Sequence, residues 1–295
     1  MKHAILGAGA VGGLVGTGLA ALGEEVIVAV RPERLAEYPK NLTLERPAGV
    51  VTAPAKAVAA LTEPADVLWI ATKTYQLESA LAAVQASPEL VVPLLNGVDH
   101  IAVLRSRFGH DRVVPATIAV EAECPAPGRF VQRSPIVRLN LAGSGEPRLG
   151  PIIARLGEFG FTCQFMQNEK TLLWSKLCFL APFALVTTAS GKNKGEIVGD
   201  SRWKDKLFSA VAETCAVAKA EGAEVDTVKL RALFDSFPPG TVSSMAKHLA
   251  AHQRLELDGI AGPIVRGGER YGIEVPTTKE LMEAIRTKEQ QSNPA

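Results

Sequence analysis

The chain begins Met1-Lys2-His3-Ala4-Ile5-Leu6-Gly7-Ala8-Gly9-Ala10-Val11-Gly12-Gly13 and, after a run of small residues, continues Glu25-Val26-Ile27-Val28-Ala29-Val30-Arg31. A short apolar strand enters a glycine-rich turn, a helix of small residues follows, and a second apolar strand comes next. In that setting a G-x-G-x-x-G spacing acquires meaning. Gly7 permits the tight turn, Gly9 lets a pyrophosphate approach the backbone, and Gly12 lets the helix pack on the strand. The start of the helix, Ala10 and Val11, offers free N–H groups and the positive dipole end to phosphate. The alternative is a glycine-rich turn with no ligand. The position of the motif between two strand patterns favours dinucleotide binding.

Arg31 closes the second strand, where NAD sites usually carry an acidic residue for the ribose hydroxyls. Arg31, with Arg34 shortly after, instead suits the 2′-phosphate of NADP(H). A surface arginine in a loop is the alternative.

Working outward, 295 residues allow two domains and a sizeable core. With 47% apolar residues, 21% charged residues and a net charge of +1, the chain has no basic field for nucleic acid and no polybasic membrane segment. The N-terminus enters a strand directly, so no signal peptide is expected. The longest uncharged run, Leu177–Gly191, is short for a bilayer and contains Pro182. Cys124, Cys163, Cys178 and Cys215 lie far apart and read as reduced thiols of a cytoplasmic protein, with no metal site.

Further along, residues 66–71 and 90–95 read as buried parallel strands, ending at Thr72-Lys73-Thr74-Tyr75-Gln76 and Asn96-Gly97. A helix is expected from Leu77 to Gln85. Strands alternating with helices predict a doubly wound α/β fold, whose ligands bind beyond the carboxyl ends of the strands. The glycine turn, Arg31, Lys73 and Asn96 all fall at such ends. A strand-rich stretch spans 113–141 with a turn at 125–128, then a helix at 147–160 and a strand at 161–166. The domain boundary is placed near Asn168, giving an NADP-binding domain at 1–168 and an all-helical substrate domain at 169–295. Helices are expected at 203–222, 225–237, 243–253, 256–272 and 277–286, with a frayed tail from Lys288.

Residues 171–190 carry one charged side chain, Lys176, with Leu172, Leu173, Phe179 and Leu180 one turn away. Desolvation there would lower its pKa and make it a proton donor near neutrality. The alternative is a stem that snorkels to the surface. His248 and His252 are four apart, but without a carboxylate motif they read as an exposed helix face.

These residues together resemble the 2-dehydropantoate 2-reductase (ketopantoate reductase) family. The resemblance rests on Gly7-x-Gly9-x-x-Gly12, Arg31, Lys73 in Thr-Lys-Thr-Tyr-Gln, Asn96-Gly97, Trp174-Ser175-Lys176-Leu177, Ser243-Ser244-Met245 and Glu256-Leu257-Asp258. It implies an N-terminal Rossmann-type sheet followed by an all-helical domain, with the active site in the cleft between them. It further implies NADPH reducing the C2 carbonyl of a small 2-oxo acid, Lys176 as general acid and Glu256 on the emerging hydroxyl. Lys73 and Asn96 would line the nicotinamide end, and Asn96 and Ser244 would contact substrate. A homodimer is left open. The chain departs from the family at Leu180, Ala184 and Ala261, where asparagine is usual, and at His248, where an acid is expected. Three readings follow: a pantothenate-pathway reductase, the same chemistry on a more apolar 2-oxo acid or ketone, or a non-catalytic NADPH sensor.

Overall fold

The protein is described by a computed structural model covering residues 1–292. Its first part runs β1 (Lys2–Leu6), α1 (Ala10–Ala21), β2 (Glu25–Ala29), β3 (Asn41–Arg46), β4 (Gly49–Pro54), β5 (Lys56–Val58), β6 (Val67–Ile70), α2 (Leu77–Leu81) and β7 (Leu90–Pro93). It continues α3 (His100–Phe108), β8 (Ala116–Ala119), β9 (Ala122–Ala126), β10 (Arg129–Gln132), β11 (Val137–Ala142), α4 (Glu146–Phe159) and β12 (Phe161–Met166). Seven helices follow: α5 (Glu169–Ser190), α6 (Lys194–Gly199), α7 (Ser201–Ala220), α8 (Thr227–Ser236), α9 (Ser244–Ala250), α10 (Leu257–Tyr271) and α11 (Pro276–Ser292). The chain forms two compact units. One comprises Met1–Asn96 and His100–Glu169; the other comprises Gly97–Asp99 and Lys170 onward.

The first unit is built on a parallel sheet ordered β5-β2-β1-β6-β7. Strands β6 and β7 are buried along their whole length, which is why they read as continuous apolar runs. Ala4, Leu6, Ile27, Ala29, Leu68, Ile70 and Val91 share a core with Leu77 and Leu81 of α2 and Leu104 of α3. Alternate residues face the other way, where Ile5 and Val26 meet the glycines of α1. A second sheet, β4-β3-β10-β9, packs against α1, and a third, β12-β11-β8, packs on α4. Phe130 of β10, fully buried, lies where a side chain at Gly13 would go.

Several boundaries differ from the sequence reading. The helix expected over 77–85 ends at Leu81, because Leu61 exchanges backbone hydrogen bonds with Ala83, Gln85 and Ala86. The turn expected at 125–128 narrows to Pro127-Gly128, since β9 runs to Ala126. In the second unit, α9 stops at Ala250, and His252 adopts a φ of 54°, so His248 and His252 do not share a helix. The tail is not frayed up to Ser292. Glu289 accepts from Leu255 N at 2.9 Å, Lys288 Nζ donates to Ala189 O at 2.7 Å, and Ser292 O lies 3.0 Å from His252 Nδ1. The short helix α6, not anticipated, is closed by a capping box between Asn193 and Glu196.

The second unit surrounds α5. By length and composition α5 could cross a membrane, but 78% of its most apolar window is buried among the unit's other residues. Side-chain caps from Asp200, Asp226 and Ser243 start α7, α8 and α9. Glu213 of α7 accepts from Thr277 N and Thr278 N at 2.8 Å, supplying the cap for α11 from a neighbouring helix.

At the N-terminal edge of the sheet, His3 is fully buried and its Nδ1 accepts from Trp69 Nε1 at 3.1 Å. Burial lowers its pKa from 6.5 to about 4, against the opposing pull of Glu24. The unfolded chain therefore takes up this proton first as pH falls. His3 contributes fully above pH ~6.5 and loses on the order of 3 kcal/mol of native stability as pH falls through ~4. Denaturant unfolding at pH 7, 6, 5 and 4 should show that slope, and His3→Gln should flatten it even if its absolute stability is lower.

Candidate functional site

In the first unit, register places the predicted residues on one edge. Leu6 pairs with Ala29 and with Ile70, and Ile70 pairs with Pro93. The four strands therefore end level, and Gly7, Arg31, Lys73 and Asn96 leave from the same side of the sheet. Lys73 and Asn96 are half-buried, while Arg31 is exposed. Arg31 lies two residues past the end of β2, with its Nε 3.6 Å from a Glu33 oxygen. Arg34 is paired to Glu37 at 2.9 Å.

The glycine turn fits a dinucleotide by shape. Gly7 has a φ of +94°, and a Cβ there would meet Thr72 N at 2.8 Å, so the turn is pressed against the end of β6. A Cβ at Gly12 would lie 2.2 Å from Gly7 O and 3.0 Å from Ile5. At Gly9, by contrast, a Cβ would meet nothing within 4 Å. Gly9 is the N-cap of α1, which has no side-chain cap and no acid in its first turn. Open space over uncapped N–H groups is a seat for an anion. Two further residues, neither of them a predicted site residue, complete this edge. Tyr38 donates its hydroxyl to Ala8 O at 2.8 Å, bracing the turn, and burial raises its pKa to about 12. The Thr72 hydroxyl is buried without a hydrogen-bond partner among the described residues. Tyr38 carried no sequence signal, since it acts through distant backbone, whereas Thr72 opens the motif that was read for Lys73.

In the second unit, Lys176 is half-buried on α5 between the buried Trp174, Leu177 and Cys178. Desolvation lowers its pKa to about 8, and the Glu256 carboxylate holds it up against further fall. Glu256 is itself only 5% exposed and is the N-cap residue of α10. A buried carboxylate beside a poorly hydrated ammonium is a unit able to move a proton near neutral pH. Ser243, not Ser244, is the structural member of its pair: its Oγ accepts from Ala246 N at 3.1 Å and from Thr187 Oγ1 at 2.7 Å. Ser244 is exposed and free of that capping duty. Leu180 is half-buried, and Ala184 and Ala261 are buried in the helical core. Among the described residues no cluster of His, Cys, Asp or Glu could hold a metal.

The sequence profile described as "Ketopantoate reductase PanE/ApbA" matches residues 3–143, and that described as "Ketopantoate reductase PanE/ApbA C terminal" matches residues 168–289. A 2-dehydropantoate 2-reductase of Caulobacter vibrioides is 31% identical, covering 92% of this chain and 94% of its own. A PanE/ApbA family ketopantoate reductase structure from Ralstonia eutropha JMP134 is similar at TM-score 0.87 and 28% identity, covering 99% of each chain. A ternary structure of D-mandelate dehydrogenase with NADH and anilino(oxo)acetate is similar at TM-score 0.89 and 25% identity, covering 99% of this chain and 100% of that one.

The contrast between Gly9 and Gly12 is testable. Gly9→Val should fold as the parent does yet bind NADPH at least ~10-fold more weakly in a fluorescence titration, because it fills the open space above α1. Gly12→Val should cost about 1–3 kcal/mol or more in unfolding experiments, because it drives a side chain into the Gly7 carbonyl.

Proposed function

This chain belongs to the ketopantoate reductase family and is an oxidoreductase acting on a carbonyl/alcohol pair, and on that premise we propose that it reduces 2-dehydropantoate to pantoate with NADPH, Lys176 serving as general acid. NADPH, when bound, supplies the hydride that adds to C2 of the 2-oxo acid. The chain's residues do the rest. Gly7, Gly9, Ala10, Val11 and Gly12 receive the pyrophosphate at the start of α1, and Lys73 and Asn96 serve the nicotinamide end. Negative charge grows on the carbonyl oxygen as reduction proceeds, and the Lys176 ammonium stabilises it and gives up its proton there. Glu256 keeps that ammonium protonated near neutrality and accepts a hydrogen bond from the new hydroxyl. Ser244 contacts the substrate. The product would feed pantothenate and coenzyme A formation in the cytoplasm.

The observation that carries this reading is the lowered pKa of Lys176 beside buried Glu256. The donor must hold its proton, so reduction should be fast below pH ~8 and decline as pH rises through it. Lys176→Met should lower kcat by about 10²-fold or more. Glu256→Gln removes the charge that raises the lysine pKa, so the alkaline limb should move to lower pH. NADPH absorbance across a pH series measures all three; turnover by Lys176→Met at the parental rate sinks the assignment.

NADPH rather than NADH is supported by the absence of an acid at the end of β2 and by Arg31 and Arg34 there. Arg31→Ala should raise KM for NADPH several-fold and leave that for NADH nearly unchanged; equal effects on both would refute the NADP preference.

A second reading has its own observation. Leu180 and Ala184 follow Lys176 by one and two helical turns, and they and Ala261 offer no side-chain hydrogen bond. A pocket without such groups discriminates weakly for a hydroxylated substrate, which favours a more apolar 2-oxo acid. Comparing kcat/KM for 2-dehydropantoate and 2-oxoisovalerate separates the two; a strong preference for the former removes the second reading.

A further inference from the structure

Gly97, Val98 and Asp99 belong to the second unit, although β7 before them and α3 after them belong to the first. Three observations pin this strap to the start of α10. Gly97 has a φ of +81°, and a Cβ there would lie 2.0 Å from Gly259 O, so backbone rests on backbone. Val98 packs on the apolar core of the helical unit. Asp99 accepts from Arg266 Nε at 3.1 Å and Nη2 at 2.5 Å, while Nη1 of the same guanidinium donates to Asp258 Oδ1 at 2.9 Å.

Asp258, Gly262 and Arg266 stand four residues apart on one stripe of α10. A Cβ at Gly262 would lie 2.4 Å from Arg266 Nη2 and 2.6 Å from Asp258 Oδ1. The glycine is the seat in which the guanidinium lies back along the helix. A planar fork can serve two carboxylates in this way; a lysine ammonium cannot match it. The three side chains are 45–75% exposed, where ion pairs add little stability. The arrangement is better explained by placement.

We propose that the Asp99–Arg266–Asp258 fork is a positioning device that holds the Gly97–Asp99 strap on the first turns of α10, and so fixes the start of that helix, where Glu256 is the N-cap. The inference rests on the reading of Lys176 as proton donor and Glu256 as its partner. Arg266 acts through these residues and does not itself touch substrate. Freed of the fork, Glu256 would hold the Lys176 proton less firmly.

The test compares the parent with Arg266→Met, Arg266→Lys and Gly262→Ala, reading kcat, KM for NADPH and the 2-oxo acid, the pH profile of kcat, and the thermal midpoint. Arg266→Met should lower kcat about tenfold, shift the alkaline limb to lower pH, and leave KM for NADPH within about twofold. Arg266→Lys should recover only part of the loss. Gly262→Ala is the decisive variant. Its methyl meets flexible side-chain tips, so the fork yields while the helix remains, and alanine ordinarily stabilises a helix interior. A thermal midpoint at or above the parent's, with lower kcat and the same shifted limb, is a combination that a merely structural role does not produce. Unchanged kcat and limb in Arg266→Met and Gly262→Ala would overturn the proposal. So would a loss of kcat that tracks the thermal midpoint with the limb unmoved. A parent enzyme with no alkaline limb would overturn the underlying reading, and this inference with it, before any variant is made.

Discussion

A methyl group at position 12 would stand 2.2 Å from the carbonyl oxygen of Gly7, and one at position 97 would stand 2.0 Å from that of Gly259. These two close approaches, each possible only where no Cβ intervenes, set the geometry from which the rest follows. In the first unit the approach draws the start of α1 down onto the end of β1 and turns its uncapped N–H groups toward open space above Gly9. The level ends of β1, β2, β6 and β7 then present their loops beside that space. In the second unit the approach seats a strap of three residues on α10, whose N-cap is Glu256.

Burial of ionisable groups has two outcomes in this protein, and the difference lies in where each group starts. Desolvation is the leading cause at both His3 and Lys176, and a carboxylate opposes it in both cases. His3 ends at about 4 and is a neutral acceptor for Trp69 at ordinary pH. Lys176 begins at 10.5 and ends at about 8, where both protonation states are accessible. The same physics makes one group a fixed part of a core and leaves the other able to exchange a proton. The apolar surroundings of Lys176 thus lower its pKa while the same helix supplies much of the core.

Much of the fold was legible in the residues. Continuous apolar runs at Val67–Ile70 and Leu90–Pro93 identify strands buried on both faces, and strand–helix alternation identifies the parallel sheet. The positions of Gly7, Arg31, Lys73 and Asn96 at strand ends were legible as well, because strand period and turn chemistry are local. Lys176 stood out because it is the one charge in a long apolar stretch. Asp258, Gly262 and Arg266 are spaced as a stripe in the sequence, but their acidic partner Asp99 is more than 150 residues away, and no local pattern announces it.

What the sequence determined by itself is the kind of most of the longer elements and the chemistry available at their ends, since both depend on neighbours within a few residues. Tertiary structure alone decided where elements stop and what meets what. Leu61 ends α2 early by taking its last turn into backbone pairing. Contacts to Leu255, Ala189 and His252 carry α11 on to Ser292. Tyr38 reaches the glycine turn, β10 pairs in parallel with β3, and Gly97–Asp99 joins the helical unit. Each is a bond between residues far apart in the chain, whose formation depends on the packing of everything between them, and periodicity carries no record of it.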